Sequence, residues 1–178
     1  ITSSATMGNP RQLAGELLNR PFHEIIDNGA PAAARHFVFL NPAESPNTIA
    51  ANLLRLSILK DYRTIVFTRA RVITELVYRW ATQSRPDLRA KISSYRAGYL
   101  PEERRQIEQA LNTGELLGVV STSALELGID IGGLDICVLV GYPGSIINTW
   151  QRAGRAGRRA SRSRAAASSM LDSSVGWA

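Results

Sequence analysis

Short runs of apolar and β-branched residues alternate along this chain with windows of helical period. Candidate strands fall at residues 37–40, 64–67, 92–95, 117–121 and 136–140, at intervals of roughly 25 residues. Between them, helical windows cover residues 46–60, 70–82, 101–111 and 146–154. Pro101 suits a first helical position, where its missing N–H costs nothing, and Gly114 suits a helix stop. The runs Gly118-Val-Val-Ser and Cys137-Val-Leu-Val are continuously apolar, as expected of parallel strands buried on both faces. The pattern predicts an α/β fold, a parallel sheet with helices on both faces. Ligands of such sheets bind beyond the carboxyl ends of the strands. Polar residues gather at those ends: Thr68 and Arg69, Arg96 to Gly98, Ser121 to Ser123, and Gly141 to Gly144.

The two ends of the chain break the pattern. Residues 1–10 read as a strand followed by Gly8, Asn9 and Pro10, and a short helix is expected at 11–19. Gly29, Pro31 and four alanines interrupt any period in residues 21–35, which read as a connector. Beyond Arg159 the chain turns rich in Ser, Ala and Arg, so residues 161–178 read as a low-complexity or disturbed tail. The sequence opens without methionine and is expected to be cut from a longer chain.

Composition narrows the partners. A length of 178 residues with 44% hydrophobic content suits one domain with a real core. Lys and Arg number 21 against 15 Asp and Glu, a net charge of +6 that favours a polyanion such as nucleic acid. A single cysteine, Cys137, excludes an internal disulfide framework or zinc site. No signal peptide or spanning helix is visible, so the expected setting is cytoplasmic and reducing, without a membrane partner. Trp80 and Trp150, near helix ends, are expected to serve packing rather than base stacking.

The most informative stretch is Gln151-Arg-Ala-Gly-Arg-Ala-Gly-Arg158, with arginines at every third position and glycines between them. Glycine permits close backbone approach, and a guanidinium offers a planar fork of donors to phosphate oxygens. A solvated basic turn is the alternative, since six arginines and no acid lie between Arg152 and Arg164.

This stretch resembles motif VI of superfamily 2 helicases, and companion motifs follow in order. Ser4-Ala-Thr6 resembles motif III, Ile65-Val-Phe-Thr-Arg-Ala70 motif IV, and Ser121-Thr-Ser-Ala-Leu-Glu-Leu-Gly-Ile-Asp130 motif V. Between the last two, Tyr95-Arg-Ala-Gly-Tyr-Leu100 with Glu103 and Arg104 resembles the family's next strand-contacting motif. The longer stretches RAGYLPEERRQIEQAL and VVSTSALELGIDIGGLD are similar to the MrfA-like branch of DNA helicases, associated with DNA repair.

The resemblance implies a RecA-like, P-loop NTPase-like helicase C-terminal domain. Residues 1–10 would end the first RecA-like lobe, 11–35 connect, and 36–160 form the second lobe. Its role would be the second motor lobe of an ATP-dependent DNA helicase that translocates and unwinds. Arg155 and Arg158 match the arginines that reach the γ-phosphate of ATP, and Gln151 matches a polar link to the nucleotide. Arg152 falls to a structural or coupling role. Gly128 and Asp130 match the segment near the ribose, although Asp130 could equally cap its own loop. Thr122, Arg96 and Gly98 match positions that face the nucleic-acid backbone. Thr68 and Arg69, also expected to bind nucleic acid, match motif IV, whose side chains either touch the strand or organise the lobe interface. Arg69 could instead be a helix-start residue balanced by Glu75.

Neither a GxxxxGK[ST] loop nor a DExH-type motif occurs in the 178 residues. ATP with Mg2+ would therefore be held mainly by a first lobe upstream of Ile1, and this fragment alone is expected to be inactive. The partners implied are single-stranded or duplex DNA and that first lobe. An RNA-remodelling lobe and a nonenzymatic nucleic-acid-binding module are the competing readings.

Overall fold

The computed structural model describes residues 8–25, 35–83, 85–126 and 133–157. These fall into two compact units divided after Pro31. In the first unit, helix α1 (Pro10–Leu18) opens on proline, and Asn19 closes it in the left-handed region at φ 47°.

The second unit is a four-stranded parallel sheet. Its strands are β1 (Thr64–Phe67), β2 (Ile92–Tyr95), β3 (Gly118–Ser121) and β4 (Ile136–Leu139), in the spatial order β2-β3-β1-β4. Helices α2 (Pro46–Leu59), α3 (Arg71–Thr82), α4 (Pro101–Thr113) and α5 (Ile146–Ala153) connect or flank them. The prolines at the starts of α2 and α4 occupy first-turn positions, and Gly114 ends α4 at φ 83°, where a Cβ would be strained.

Alternation of side chains along each strand splits the apolar residues into two cores. Val66, Val120 and Val138 face one layer with Ala50, Leu54 and Ile58 of α2 and Val77 and Ala81 of α3. Ile65, Phe67, Val119, Cys137 and Leu139 face the other, with Leu111 of α4 and Ala156 just beyond α5. Both faces are covered, which is why these strands carry no polar alternation.

Gly118 marks the tightest contact between sheet and helix. A Cβ there would lie 3.0 Å from Ile58 Cδ1, 3.1 Å from Leu54 Cδ1 and 3.2 Å from Ile92 Cγ1. Gly118→Val is expected to overpack this site and cost about 1–3 kcal/mol, measured as a lower urea midpoint at unchanged slope.

The expected strand at residues 37–40 does not form; only Phe39 makes an isolated single-residue bridge. Phe37, Val38 and Phe39 are 36%, 45% and 69% exposed, so the run lacks the two covering layers that hold the other strands. Phe37 instead meets Trp150 edge to face, with ring centroids 5.2 Å apart. Trp80 and Trp150 are themselves half exposed, and neither belongs to the core. The four expected strands between residues 64 and 140 match their predicted positions to within a residue, and the helices to within two, while the strand expected within residues 1–10 lies outside the described residues.

Candidate nucleotide and nucleic-acid site

Because all four strands are parallel and in register, their carboxyl ends share one edge. Phe67 stands opposite both Ser121 and Leu139, and Tyr95 opposite Ser121. Thr68, Arg96, Thr122 and Val140 therefore lie side by side, one residue past the ladder. Two further backbone bonds hold this edge, Thr68 N–H to Ser121 O at 2.8 Å and Val140 N–H to Phe67 O at 2.9 Å.

The hydroxyl of Thr68 turns inward. It is buried, 2.7 Å from the hydroxyl of Thr74, and so ties α3 to the end of β1. Arg69 is exposed, its aliphatic stem near Gly141, where a Cβ would lie 3.5 Å from Arg69 Cδ. Glu75 does not balance Arg69. It takes Arg96 instead, Nε to Oε1 at 2.9 Å, and also accepts from the Ser94 hydroxyl at 3.3 Å and the Tyr99 hydroxyl at 3.3 Å. The Arg96 guanidinium lies over the Tyr99 ring, 4.9 Å from its centroid. Gly98 leaves room beside it, since a Cβ there would come within 3.1 Å of Arg96 Nη1 and push the guanidinium slightly aside. Arg96 is thus held along one edge and from below, with about a third of its side chain open to solvent.

At the neighbouring strand end, Thr122 is extended and partly exposed, and a 3-10 turn follows at Ser123–Leu125. That turn delivers Glu126 into the interior, at 7% exposure. Its carboxylate Oε2 receives both Nε and Nη2 of Arg152 at 2.9 Å. Its backbone carbonyl accepts from Nη2 of Arg155.

Arg152 and Arg155 reach this point because of the turn before them. Gly141 and Gly144 adopt φ 81° and 94° around Tyr142 and Pro143, a path closed to most side chains. Ser145 then caps α5, its hydroxyl accepting from Asn148 N–H at 3.0 Å. Gln151 lies half-buried on α5. Beyond the helix, Gly157 N–H bonds to Leu134 O at 3.0 Å, which stitches the chain onto the segment entering β4. Arg155 is buried at 7% exposure, so its guanidinium lies within the fold rather than on its surface. Gly128, Asp130, Arg158 and the Ser4-to-Thr6 motif lie outside the described residues.

Glu75 and Glu126 were not singled out as functional from the sequence. A lone acid inside the apolar run Leu125-Glu126-Leu127 is the signal that could have found Glu126, because a buried carboxylate needs a cationic partner.

Cys137 sits beneath Arg152, its thiol donating to the Arg152 carbonyl at 3.3 Å. Burial pushes this thiol up to about 12. Tyr95 is also pushed up to about 12, first by burial and then by its 2.7 Å hydrogen bond to Glu108. Both groups stay neutral in the folded protein while the unfolded chain releases their protons from about pH 9 and 10. Stability from these groups is therefore complete at neutral pH and is lost as pH rises from about 9 towards 12. The urea midpoint is expected to hold to about pH 9 and fall above it, and Cys137 to resist alkylation until the protein unfolds.

The chain is similar to known proteins over most of its length. The family model of the helicase conserved C-terminal domain matches residues 46–160. The uncharacterized ATP-dependent helicase YprA of Bacillus subtilis is 46% identical over 170 residues, covering 89% of this chain and 23% of that protein. The ATP-dependent helicase hrq1 of Schizosaccharomyces pombe is 38% identical over 176 residues, 89% of this chain and 17% of its own. Among solved structures, the DUF1998 helicase MrfA bound to DNA and AMPPNP superposes with a TM-score of 0.88 at 43% identity, covering 94% of this chain and 25% of that one. The chain thus spans a quarter or less of the length of these relatives. Among the described residues, no helix is long and apolar enough to cross a membrane.

Proposed function

The chain belongs to the helicase conserved C-terminal domain family, and from that premise we propose that it is the second RecA-like lobe of an ATP-dependent DNA helicase of the MrfA-like branch. The observation that carries this reading is the joining of two loops at one edge of the sheet. The loop bearing Thr122 meets α5, which carries Gln151 and Arg152, and Arg155 just beyond that helix, at Glu126. A motor needs this adjacency, because strand contact and nucleotide contact must act on each other.

In this reading Arg155 and Arg158 are directed at the γ-phosphate of ATP held on a first lobe, and Gln151 links the nucleotide to this lobe. Their guanidinium donors fit phosphate oxygens, and charge developing on the transferred phosphoryl group is what they stabilise. Gly128 and Asp130 serve the ribose side. Bound ATP supplies the free energy, with Mg2+ held mainly by the first lobe. Arg69, Arg96, Gly98 and Thr122 grip the DNA backbone without reading its sequence. Thr68, being buried, acts by fixing the end of β1 and the start of α3.

DNA is favoured over RNA because MrfA, similar at 43% identity, is a DNA-bound structure. We place the parent protein in the cytoplasm with its DNA substrate. The deciding experiment is ATP hydrolysis by the two-lobe parent with and without single-stranded DNA, beside the isolated lobe. DNA-stimulated hydrolysis by the parent and none by the lobe is the expected result. Binding without hydrolysis by the parent would leave a nonenzymatic nucleic-acid-binding module.

A further inference from the structure

Glu126 holds both arginines of α5 and its exit through different atoms. The carboxylate is clamped by the fork of Arg152, with side chains only 8% and 11% exposed, while the carbonyl accepts from Arg155. On its other side Glu126 is joined to Thr122 through one short 3-10 turn. Its N–H bonds to Ser123 O at 2.9 Å, and Leu125 between them is fully buried. Little chain therefore lies between Thr122 and Glu126 to absorb a displacement. Arg155 for its part cannot swing toward a phosphate without giving up its bond to the Glu126 carbonyl.

We propose that Glu126 is the positioning residue that couples strand contact at Thr122 to the aim of Arg155. In the structure Arg155 is held on the Glu126 carbonyl. Strand binding shifts the turn and with it that carbonyl. The carboxylate keeps its grip on Arg152, so α5 stays in place while Arg155 is released toward the nucleotide. Glu126 touches neither ligand. This role rests on the reading of Arg155 as a phosphate-directed arginine.

The test uses the full-length parent and three variants: Glu126→Gln, the double variant Glu126→Gln/Arg152→Met, and Arg155→Ala. The readout is the ratio of DNA-stimulated to basal ATP hydrolysis, with single-stranded DNA affinity and urea stability measured alongside. Glu126→Gln is expected to lower the ratio about fivefold or more, the range of a real coupling energy, with DNA affinity unchanged. The double variant, which buries neither charge, is expected to regain the stability lost in the single variant but not the ratio. A wild-type ratio in folded Glu126→Gln, or a ratio that returns with stability in the double variant, overturns the coupling role and leaves Glu126 a structural residue. Unchanged hydrolysis in Arg155→Ala defeats the phosphate reading itself, so the two failures are distinct.

Discussion

Alanine at Arg158, and separately at Arg155, is expected to lower DNA-stimulated ATP hydrolysis by the full-length parent by about a hundredfold or more. The magnitude follows from where charge develops. A loose phosphoryl transition state spreads negative charge over the transferred group, and a guanidinium delivered across a lobe interface has little solvent to compete with it. Lysine is expected to recover little at either position, because a point charge cannot replace a planar fork. The two alanine variants should differ in stability. Arg155 is buried and bonded to the Glu126 carbonyl, so its removal leaves a vacated interior site, and Arg155→Ala should unfold at lower urea than wild type. Hydrolysis must therefore be compared at equal folded protein, fixed salt and saturating DNA. An unchanged rate in both variants would reduce residues 151–158 to a basic binding loop, and the motor reading would be withdrawn.

Much of this fold was legible in the sequence because its signals are local. Apolar runs such as Ile65-Val-Phe67 read as strands covered on both faces, and prolines at 46 and 101 set the starts of α2 and α4. The shared edge of Thr68, Arg96 and Thr122 then follows from parallel topology alone. What was not legible depends on distance in space. The run at residues 37–40 has strand composition but no layer to cover it, and composition carries no information about cover. Glu75 is 21 residues from Arg96, and Glu126 is 26 from Arg152. Nearness in sequence would pair Glu75 with Arg69, whereas the packing of α3 against β2 gives it to Arg96, Ser94 and Tyr99. For Thr68, the family resemblance left strand contact and organisation of the lobe interface both open, and the hydroxyl turns inward to Thr74, a partner six residues away that no motif marks.

Arg152→Met is expected to cost about 3–5 kcal/mol of folding stability, the penalty of leaving a buried charge without its partner. The pair qualifies as buried, since the Arg152 side chain is 11% exposed and that of Glu126 8%. By contrast Arg85 and Asp87, at 43% and 57%, form an ion pair that water screens, so its loss should matter little. Methionine keeps most of the aliphatic stem and its packing, but it loses the guanidinium that lies 5.4 Å from the centre of the Phe67 ring. The bond from the Cys137 thiol to the Arg152 carbonyl involves only backbone at 152 and should survive the substitution. Glu126→Gln/Arg152→Met should then recover most of the loss, because two neutral side chains need no mutual compensation in the interior. Urea unfolding of wild type, both single variants and the double variant gives the interaction directly as a double-mutant cycle. A loss below about 1 kcal/mol in Arg152→Met would mean that water reaches Glu126 and screens it as at a surface. Recovery in the double variant would show that the clasp between these two loops carries a stability cost that neutral packing could avoid, so that its presence must be explained by what it positions.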